Sequence, residues 1–185
     1  MKYRNVLLLV AFLLVAAPAF GGEGLGEKRG RNHCTLDGSW FVHPVAEPFV
    51  TLGPYTINTT MYSPHDGVAS VVWSGTDPTL WGACPNAVEL TIAQGATART
   101  GPRSFELTVI SFAKDAAGAV VCIGKSNLWI DLERGCNSGF MNGKLEFYFG
   151  DDDPFAAEPY LCFPETESDY PISRMVAGPP HSSCQ

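Results

Sequence analysis

The sequence predicts an all-β domain in the form of an eight-stranded antiparallel up-and-down barrel. From residue 39 onward, short segments of alternating apolar and polar residues are separated by Gly, Pro, Asp and Asn, and no segment has a helical repeat. Consecutive segments are joined by connections of hairpin length. These short connections favour a closed barrel over a two-sheet β-sandwich, which is the alternative, because a Greek-key sandwich needs longer crossing connections.

The N-terminal segment has the parts of a secretory signal peptide. Two positive charges precede an apolar run over residues 6–20, and Ala17 and Ala19 supply the small residues that a signal peptidase accepts. The run is shorter than the roughly 18 residues needed to cross a membrane. Residues 1–21 are therefore predicted to be removed on export to a secreted or periplasmic location, and no membrane span is expected in the mature chain.

Residues 22–33 are rich in glycine and charge and predict a flexible tether, which leaves a single domain over residues 34–185. The chain has 12 Lys and Arg against 19 Asp and Glu, a formal net charge of −7. This acidity argues against nucleic acid and anionic membranes as partners.

The cysteines predict disulfides. An even number of cysteines in an exported chain favours bridges over free thiols, and the six present here predict three bridges. No C-x-x-C pair is present to suggest zinc binding or thiol redox chemistry, and the sequence leaves the pairing open. The cysteines are Cys34, Cys84, Cys122, Cys136, Cys162 and Cys184.

The clearest strands lie in the second half of the domain. Residues 105–109 and 119–123 flank a turn at 114–118 and predict a β-hairpin. Residues 144–149 alternate strictly and extend this hairpin into a meander. Further segments of strand composition are residues 39–43, 55–62, 68–73, 88–92, 160–163 and 172–176.

Gly38, Ser39 and Trp40 form a G-x-W triplet at the start of the first strand, and Arg174 lies in the last strand. In this pattern the chain resembles the calycins, the lipocalin-like and avidin-like barrels. The resemblance implies that Trp40 closes one end of the barrel and packs against Arg174 through a cation–π contact. Gly38, Trp40 and Arg174 are thus expected to be structural residues.

Alternation assigns one residue in two of each strand to the barrel interior. The inward sets are Tyr55, Ile57, Met61; Val88, Leu90, Ile92; Phe105, Leu107, Val109; Val120, Ile123, Leu128; and Leu145, Phe147, Phe149. Such apolar rows either fill the barrel as plain core or leave room for one small ligand. In the second case, the predicted ligand-binding residues are Tyr55, Met61, Trp73, Trp81, Phe105 and Phe147.

Two loops carry residues that suit a surface role. Trp81 either contacts a partner as an exposed aromatic residue or folds back over a barrel mouth beside Cys84. Asp151, Asp152 and Asp153 supply hard oxygen ligands of the kind that calcium takes, but they lack the spacing of an EF-hand loop. A solvated acidic turn is the favoured interpretation, and no metal is predicted.

The sequence contains no G-x-S-x-G, H-E-x-x-H or phosphate-loop motif. An extracellular hydrolase with paired carboxylates therefore ranks third among the functions. Alternation places Glu106 and Glu146 on the outer surface, which is the position expected of ordinary surface charges. The other acidic candidates are Asp131 and Glu133. Asn58 begins a glycosylation sequon, for which chance occurrence is the favoured interpretation.

The predicted function is binding rather than catalysis, without a cofactor. The first hypothesis is an exported protein that holds a small apolar or amphipathic ligand inside the barrel. The alternative is a secreted interaction or inhibitor module in which a filled barrel is the scaffold. Its partner would be an extracellular protein, contacted through the loops around Trp81 and Asp151.

Overall fold

The computed structural model describes residues 33–45, 54–73, 82–165 and 169–176. These residues belong to one compact unit, Arg31–Gln185. The predicted signal peptide, the tether up to residue 32, Trp81 and Cys184 lie outside the described residues. None of the described residues belongs to a helix that is long and apolar enough to cross a membrane.

The described residues form a closed antiparallel barrel. Eight strands follow one another around it in the order β10, β1, β2, β3, β5, β6, β7 and β8, and pairing of β8 with β10 closes the circle. Short β4 pairs with β6, and short β9 pairs with β8. The barrel prediction is thereby confirmed, and the sandwich alternative is wrong. The strands are β1 (Gly38–Val42), β2 (Tyr55–Met61), β3 (Asp66–Trp73), β4 (Glu89–Leu90), β5 (Ala93–Arg99), β6 (Ser104–Lys114), β7 (Val120–Leu132), β8 (Ser138–Phe149), β9 (Leu161–Phe163) and β10 (Tyr170–Arg174).

The fourth strand of the barrel differs from the prediction. Residues 88–92 were expected to supply it, but Val88 and Ile92 are 62% and 54% exposed, and the barrel strand is β5. Its inward positions carry small residues, and a Cβ atom at Gly95 would overlap the carbonyl of Thr108 on β6. A residue with a side chain would therefore collide with β6 at this position, and glycine avoids the collision.

Three further inward assignments are wrong, for local reasons. Ile123 is buried, but it pairs with Phe112 and Tyr148 on the outward face of the sheet and does not belong to the core cluster. A register shift between Ala113 and Lys114 changes the alternation at the start of β7, so that Cys122 is buried and Val120 is exposed. Phe149, the last residue of β8, is also exposed, and its ring stacks on Tyr160 at 4.5 Å between centroids.

Apolar side chains fill the barrel interior as one core cluster. Burial of this apolar surface is the main stabilising contribution to the fold. Small hydroxyl residues occupy several other inward positions, with Thr59, Thr97, Ser111 and Ser126 buried. The largest members of the cluster are Trp40, Tyr55, Trp73, Phe105, Phe147 and Tyr170.

The segment Cys34–Asp37 covers one end of the barrel, which we call the closed end. Leu36 is fully buried there, and its carbonyl accepts hydrogen bonds from Trp40 Nε1 at 2.8 Å and from the Thr59 hydroxyl. Asp37 Oδ1 accepts a hydrogen bond from the backbone N–H of Met61 at 2.5 Å. These bonds satisfy buried polar groups at the point where the chain enters β1.

Two disulfides fasten the two ends of the barrel. The bridge Cys34–Cys136 ties the closed end to the turn between β7 and β8, and Cys84–Cys122 lies at the opposite end. Of the three predicted disulfides, the structure contains these two. Cys162 is exposed and has no disulfide partner among the described residues.

Candidate functional site

The residues predicted to line an interior ligand site are part of the packed core. Tyr55, Trp73, Phe105 and Phe147 are 2%, 7%, 1% and 0% exposed, and Met61 is partly buried against them. The Tyr55 and Trp73 rings lie 4.5 Å apart. Burial, followed by the charge of Tyr170 nearby, raises the pKa of Tyr55 well above its ordinary value. These side chains therefore offer almost no surface to a ligand on the barrel axis.

The structural residues of the G-x-W pattern meet at the closed end. Trp40 is opposite Arg174 in the β1–β10 ladder, and the guanidinium carbon lies 4.4 Å from the Trp40 ring centroid. Gly38 has a positive φ of 109°, which a residue with a side chain rarely adopts. The cation–π contact expected from the sequence is thus present, and it belongs to the architecture of the barrel.

A groove of about 580 Å³ lies on the outer face of β2, β3 and β5. We call it the neutral groove, because none of the described residues that line it is charged. Asn58, Ser70 and Gln94 are successive neighbours across these strands, and Asn58 Oδ1 accepts a hydrogen bond from the Ser39 hydroxyl at 2.6 Å. The lining residues are Asn58, Thr60, Val68, Ala69, Ser70, Gln94 and Gly95.

A second groove, of about 240 Å³, lies on the outer face of β6, β7 and β8. We call it the tryptophan groove, because Trp129, which is half-buried, is one of its lining residues. Trp129 is opposite Glu106 in the β6–β7 ladder, and the Thr108 hydroxyl donates to Asn127 Oδ1 at 3.0 Å. Lys144 on β8 lines the other side. The groove therefore combines an aromatic face with charged and amide groups.

Strand register joins the two grooves into one strip. One row of outward residues runs from the neutral groove across β5 to the tryptophan groove, with only the small Ala96 between them. At about 4.8 Å between neighbouring strands, the five steps of this row span about 24 Å of barrel wall. We call the neutral groove, Ala96 and the tryptophan groove together the outer belt. The row is Thr60, Val68, Ala96, Thr108, Asn127 and Lys144.

Beside the outer belt, Glu146 is buried in a network of charged and polar groups. Its carboxylate accepts hydrogen bonds from Lys125 at 3.2 Å, Lys144 at 2.8 Å, Asn127 at 3.1 Å and Tyr148 at 3.2 Å. Burial by itself raises the pKa of Glu146, but the hydrogen bonds from Lys144 and Lys125 outweigh it, so that the pKa lies below its ordinary value. The network fixes the position of the lysine and the asparagine that line the tryptophan groove.

The prediction of Glu146 as a surface charge is wrong. Its outward direction was assigned correctly, but the segment that follows β8 folds back over it. Lys125 Nζ donates to the Pro154 carbonyl at 2.9 Å and lies 5.4 Å from the centroid of the Phe155 ring. This contact between distant parts of the chain has no signal in the alternation of β8.

The acidic turn after β8 is held by its own backbone. Asp152 accepts a hydrogen bond from the N–H of Phe149 at 3.0 Å, and Asp153 accepts one from the N–H of Phe155 at 2.9 Å. Among the residues that the structure describes, no group of three or more potential ligands is placed to hold a metal ion.

The carboxylates considered for hydrolysis lie in different settings. Asp131 accepts a hydrogen bond from the Ser104 hydroxyl and Glu133 one from the Ser138 hydroxyl, each at 2.5 Å. Both oxygens of Glu146 are engaged by lysines. Of this set, Glu106 is the residue that lines a described groove.

Comparisons of the chain with protein-family models, with curated proteins and with solved structures found no match. The likeness to lipocalin-like and avidin-like barrels therefore rests on the G-x-W triplet, on Arg174 and on the barrel itself. Function has to be argued from the chemistry of this barrel's own surface.

Proposed function

We propose that this protein is an extracellular binding protein whose filled barrel is a scaffold and whose outer belt binds a carbohydrate chain. The observation that carries the proposal is the contrast between the two faces of the barrel wall. The aromatic residues of the interior are buried in the core, whereas the outer wall carries the two grooves and a half-buried tryptophan. The two disulfides favour an oxidising compartment, as export requires.

The neutral groove supports a ligand that is polar and uncharged. Its volume of about 580 Å³ lies within the range typical of small-molecule sites. Asn58 and Gln94 offer amide donors and acceptors, and Thr60 and Ser70 offer hydroxyls that do both. A row of sugar hydroxyls has the same dual character, so each can exchange hydrogen bonds with this lining.

The tryptophan groove adds the apolar contact that sugars use. The CH face of a sugar ring packs against an aromatic face, and Trp129 presents such a face between Glu106 and Lys144. All three residues project from long strands of the barrel, and rigid elements hold a binding site more accurately than loops do. The length of the outer belt suits several linked sugar units rather than a single one.

The proposal is tested by screening the mature chain against an array of neutral oligosaccharides, including cello-, xylo-, laminari- and chito-oligosaccharides. The strongest binder is then titrated by calorimetry. We expect Trp129→Ala and Gln94→Ala each to weaken binding about 10-fold or more, equivalent to about 1.4 kcal/mol. Phe112→Ala is the matched control, because Phe112 is an exposed aromatic residue on the outer face of β6 that lines neither groove.

Two results would contradict the proposal. One is the absence of binding above background across the whole array. The other is equal weakening by Trp129→Ala and Phe112→Ala, which would mean that the bound sugar does not contact the outer belt.

A further inference from the structure

The tryptophan groove differs from the neutral groove in carrying a carboxylate beside its aromatic residue. Glu106 and Trp129 both line it, and they are opposite each other in the β6–β7 ladder. Side chains directly opposite in an antiparallel pair have Cβ atoms about 4.5–5.5 Å apart on one face of the sheet. Glu106 is exposed, and it forms no ion pair with any of the described residues. A negative charge and an aromatic residue are thus available to the same ligand group.

We propose that the tryptophan groove binds a sugar unit with a protonated amino group, so that the carbohydrate chain on the outer belt contains glucosamine units with free amines. This inference rests on the proposed function, because it names the class of sugar that the same site takes. The ammonium group of the sugar contacts Trp129 and Glu106 together.

These two residues supply the two interactions that an ammonium group uses. A cation is attracted to the face of an aromatic ring, and tryptophan is the strongest of the aromatic residues in this contact. A carboxylate accepts charge-assisted hydrogen bonds, which are stronger than those between neutral groups. A hydroxyl or an N-acetyl group at the same position of the sugar gains neither contribution, because both groups are uncharged.

Lys144, the cation that lines the same groove, is directed towards Glu146. The Nζ atom of Lys144 lies 2.8 Å from Glu146 Oε1. Along the outer face of β8, Asn142 is the residue opposite Trp129, and Lys144 and then Glu146 follow it. The ammonium of Lys144 is therefore drawn away from Trp129 and does not pair with Glu106.

Other carboxylates near Trp129 add to the negative potential. Asp131 follows Trp129 on the outer face of β7 and accepts a hydrogen bond from the Ser104 hydroxyl. Asp169 accepts one from Asn142 at 3.2 Å. Neither carboxylate pairs with a lysine or an arginine in the part of the chain that the structure describes. Together with the net charge of −7, these surroundings favour a cationic sugar over an anionic one.

The neutral groove is compatible with the rest of such a chain. Its amide and hydroxyl oxygens accept hydrogen bonds from an ammonium group as well as from a hydroxyl. None of the described residues that line it is charged, so amines on the neighbouring sugar units meet no charged group there. The preference for the amine therefore arises in the tryptophan groove.

The test compares oligosaccharides of equal length that share one β-linked glucose backbone and differ only at the second carbon of each unit. The substituent is a hydroxyl in cello-oligosaccharides, an N-acetyl group in chito-oligosaccharides and an amine in glucosamine oligosaccharides. Calorimetry with the mature chain is done at about pH 5.5, where amines are protonated and exposed carboxylates are ionised. We expect the glucosamine oligosaccharide to bind about 5- to 10-fold more tightly than the other two.

The variant Glu106→Gln removes the charge and keeps the size of the side chain. We expect it to abolish the preference for the amine and to change the affinity for the cello-oligosaccharide by less than about 2-fold. Retained binding of the neutral sugar also shows that the variant is folded. Glu89→Gln is the matched control, because it changes the net charge equally and Glu89 is an exposed residue that lines neither groove.

The outcomes distinguish this inference from the proposed function. Failure of all three oligosaccharides to bind overturns both. Equal affinity for the three overturns the amine preference alone, and the outer belt then remains a carbohydrate site. A preference that persists in Glu106→Gln also overturns the inference, because the amine would then be bound elsewhere. A lysine oligopeptide of equal charge that competes with equal affinity would overturn it too, since the groove would then select cationic peptides.

Discussion

The guanidinium carbon of Arg174 lies 4.4 Å from the centroid of the Trp40 ring, and the two residues face each other across the β1–β10 ladder. Arg174 also donates hydrogen bonds to the carbonyls of Thr35 at 2.6 Å and Asp37. Trp40 is on the first strand of the barrel and Arg174 on the last. One side chain therefore links the β1–β10 pair to the segment that covers the closed end.

We expect Arg174→Lys to lower the free energy of unfolding by about 1.5–3 kcal/mol. A lysine keeps the charge, but it lacks the planar fork that bonds to several carbonyls at once and stacks on the indole. Urea denaturation at neutral pH measures the effect. Arg134→Lys, an exposed arginine in the β7–β8 turn, is the matched control, with an expected change below about 0.5 kcal/mol. Equal losses of unfolding free energy in the two variants would show that Arg174 makes no special contribution to stability.

The closed end depends on the side chain of Leu36, which has no exposed surface. We expect Leu36→Ala to destabilise the protein by about 2–5 kcal/mol, because the deletion leaves a cavity under the segment that covers the barrel. Thermal and urea unfolding both measure this loss. Val45→Ala serves as the control, since Val45 is exposed and its truncation leaves no cavity. A loss below about 1 kcal/mol in Leu36→Ala would mean that the segment packs only loosely.

The network around Glu146 makes stability depend on pH. Because the pKa of Glu146 is lowered from its ordinary value of 4.5 in the folded protein, the folded state keeps its charge where the unfolded chain takes up a proton. The stabilisation is complete above the unfolded-state pKa, and it is lost as the pH falls through the lower folded-state pKa. We expect Glu146→Gln to be less stable at pH 7 and to lose less stability than the wild type on acidification below about pH 5.

Urea denaturation at a series of pH values between about 7 and 3 measures these slopes. The control is Glu89→Gln, because Glu89 is an exposed residue of β4, and it should retain the wild-type slope. Parallel curves for Glu146→Gln and the wild type would show that this carboxylate does not contribute to acid sensitivity.

The sequence predicts the barrel correctly where strands alternate large apolar and polar residues, as in β6 and β8. It fails at β5, whose inward positions are Ala93, Gly95 and Thr97. Aromatic side chains from other strands occupy the centre of the barrel, so the local sequence of β5 needs no large residue. Neighbouring Val88 and Ile92 carry the stronger strand pattern, yet they lie outside the core.

Alternation also does not distinguish a filled barrel from a hollow one. It identifies which face Phe105 and Phe147 point to, but whether their rings meet depends on the diameter and register of the whole barrel. The two grooves likewise depend on the register of the barrel, and alternation does not predict them. Gln94 and Trp129 lie on separate strands, and only the register places them on one strip of the outer wall.

The contact between Arg174 and the chain near Thr35 spans 139 residues of sequence. During synthesis, the segment Cys34–Asp37 and β1 emerge long before the strand that completes their environment. Until β10 arrives, β1 and β8 each have an unpaired edge, which is the feature that draws strands of other chains into aggregates. A chain that stops before β10 is therefore an open sheet with two unpaired strand edges that are prone to aggregation. Pairing of the short last strand with β1 and β8 removes both of these edges.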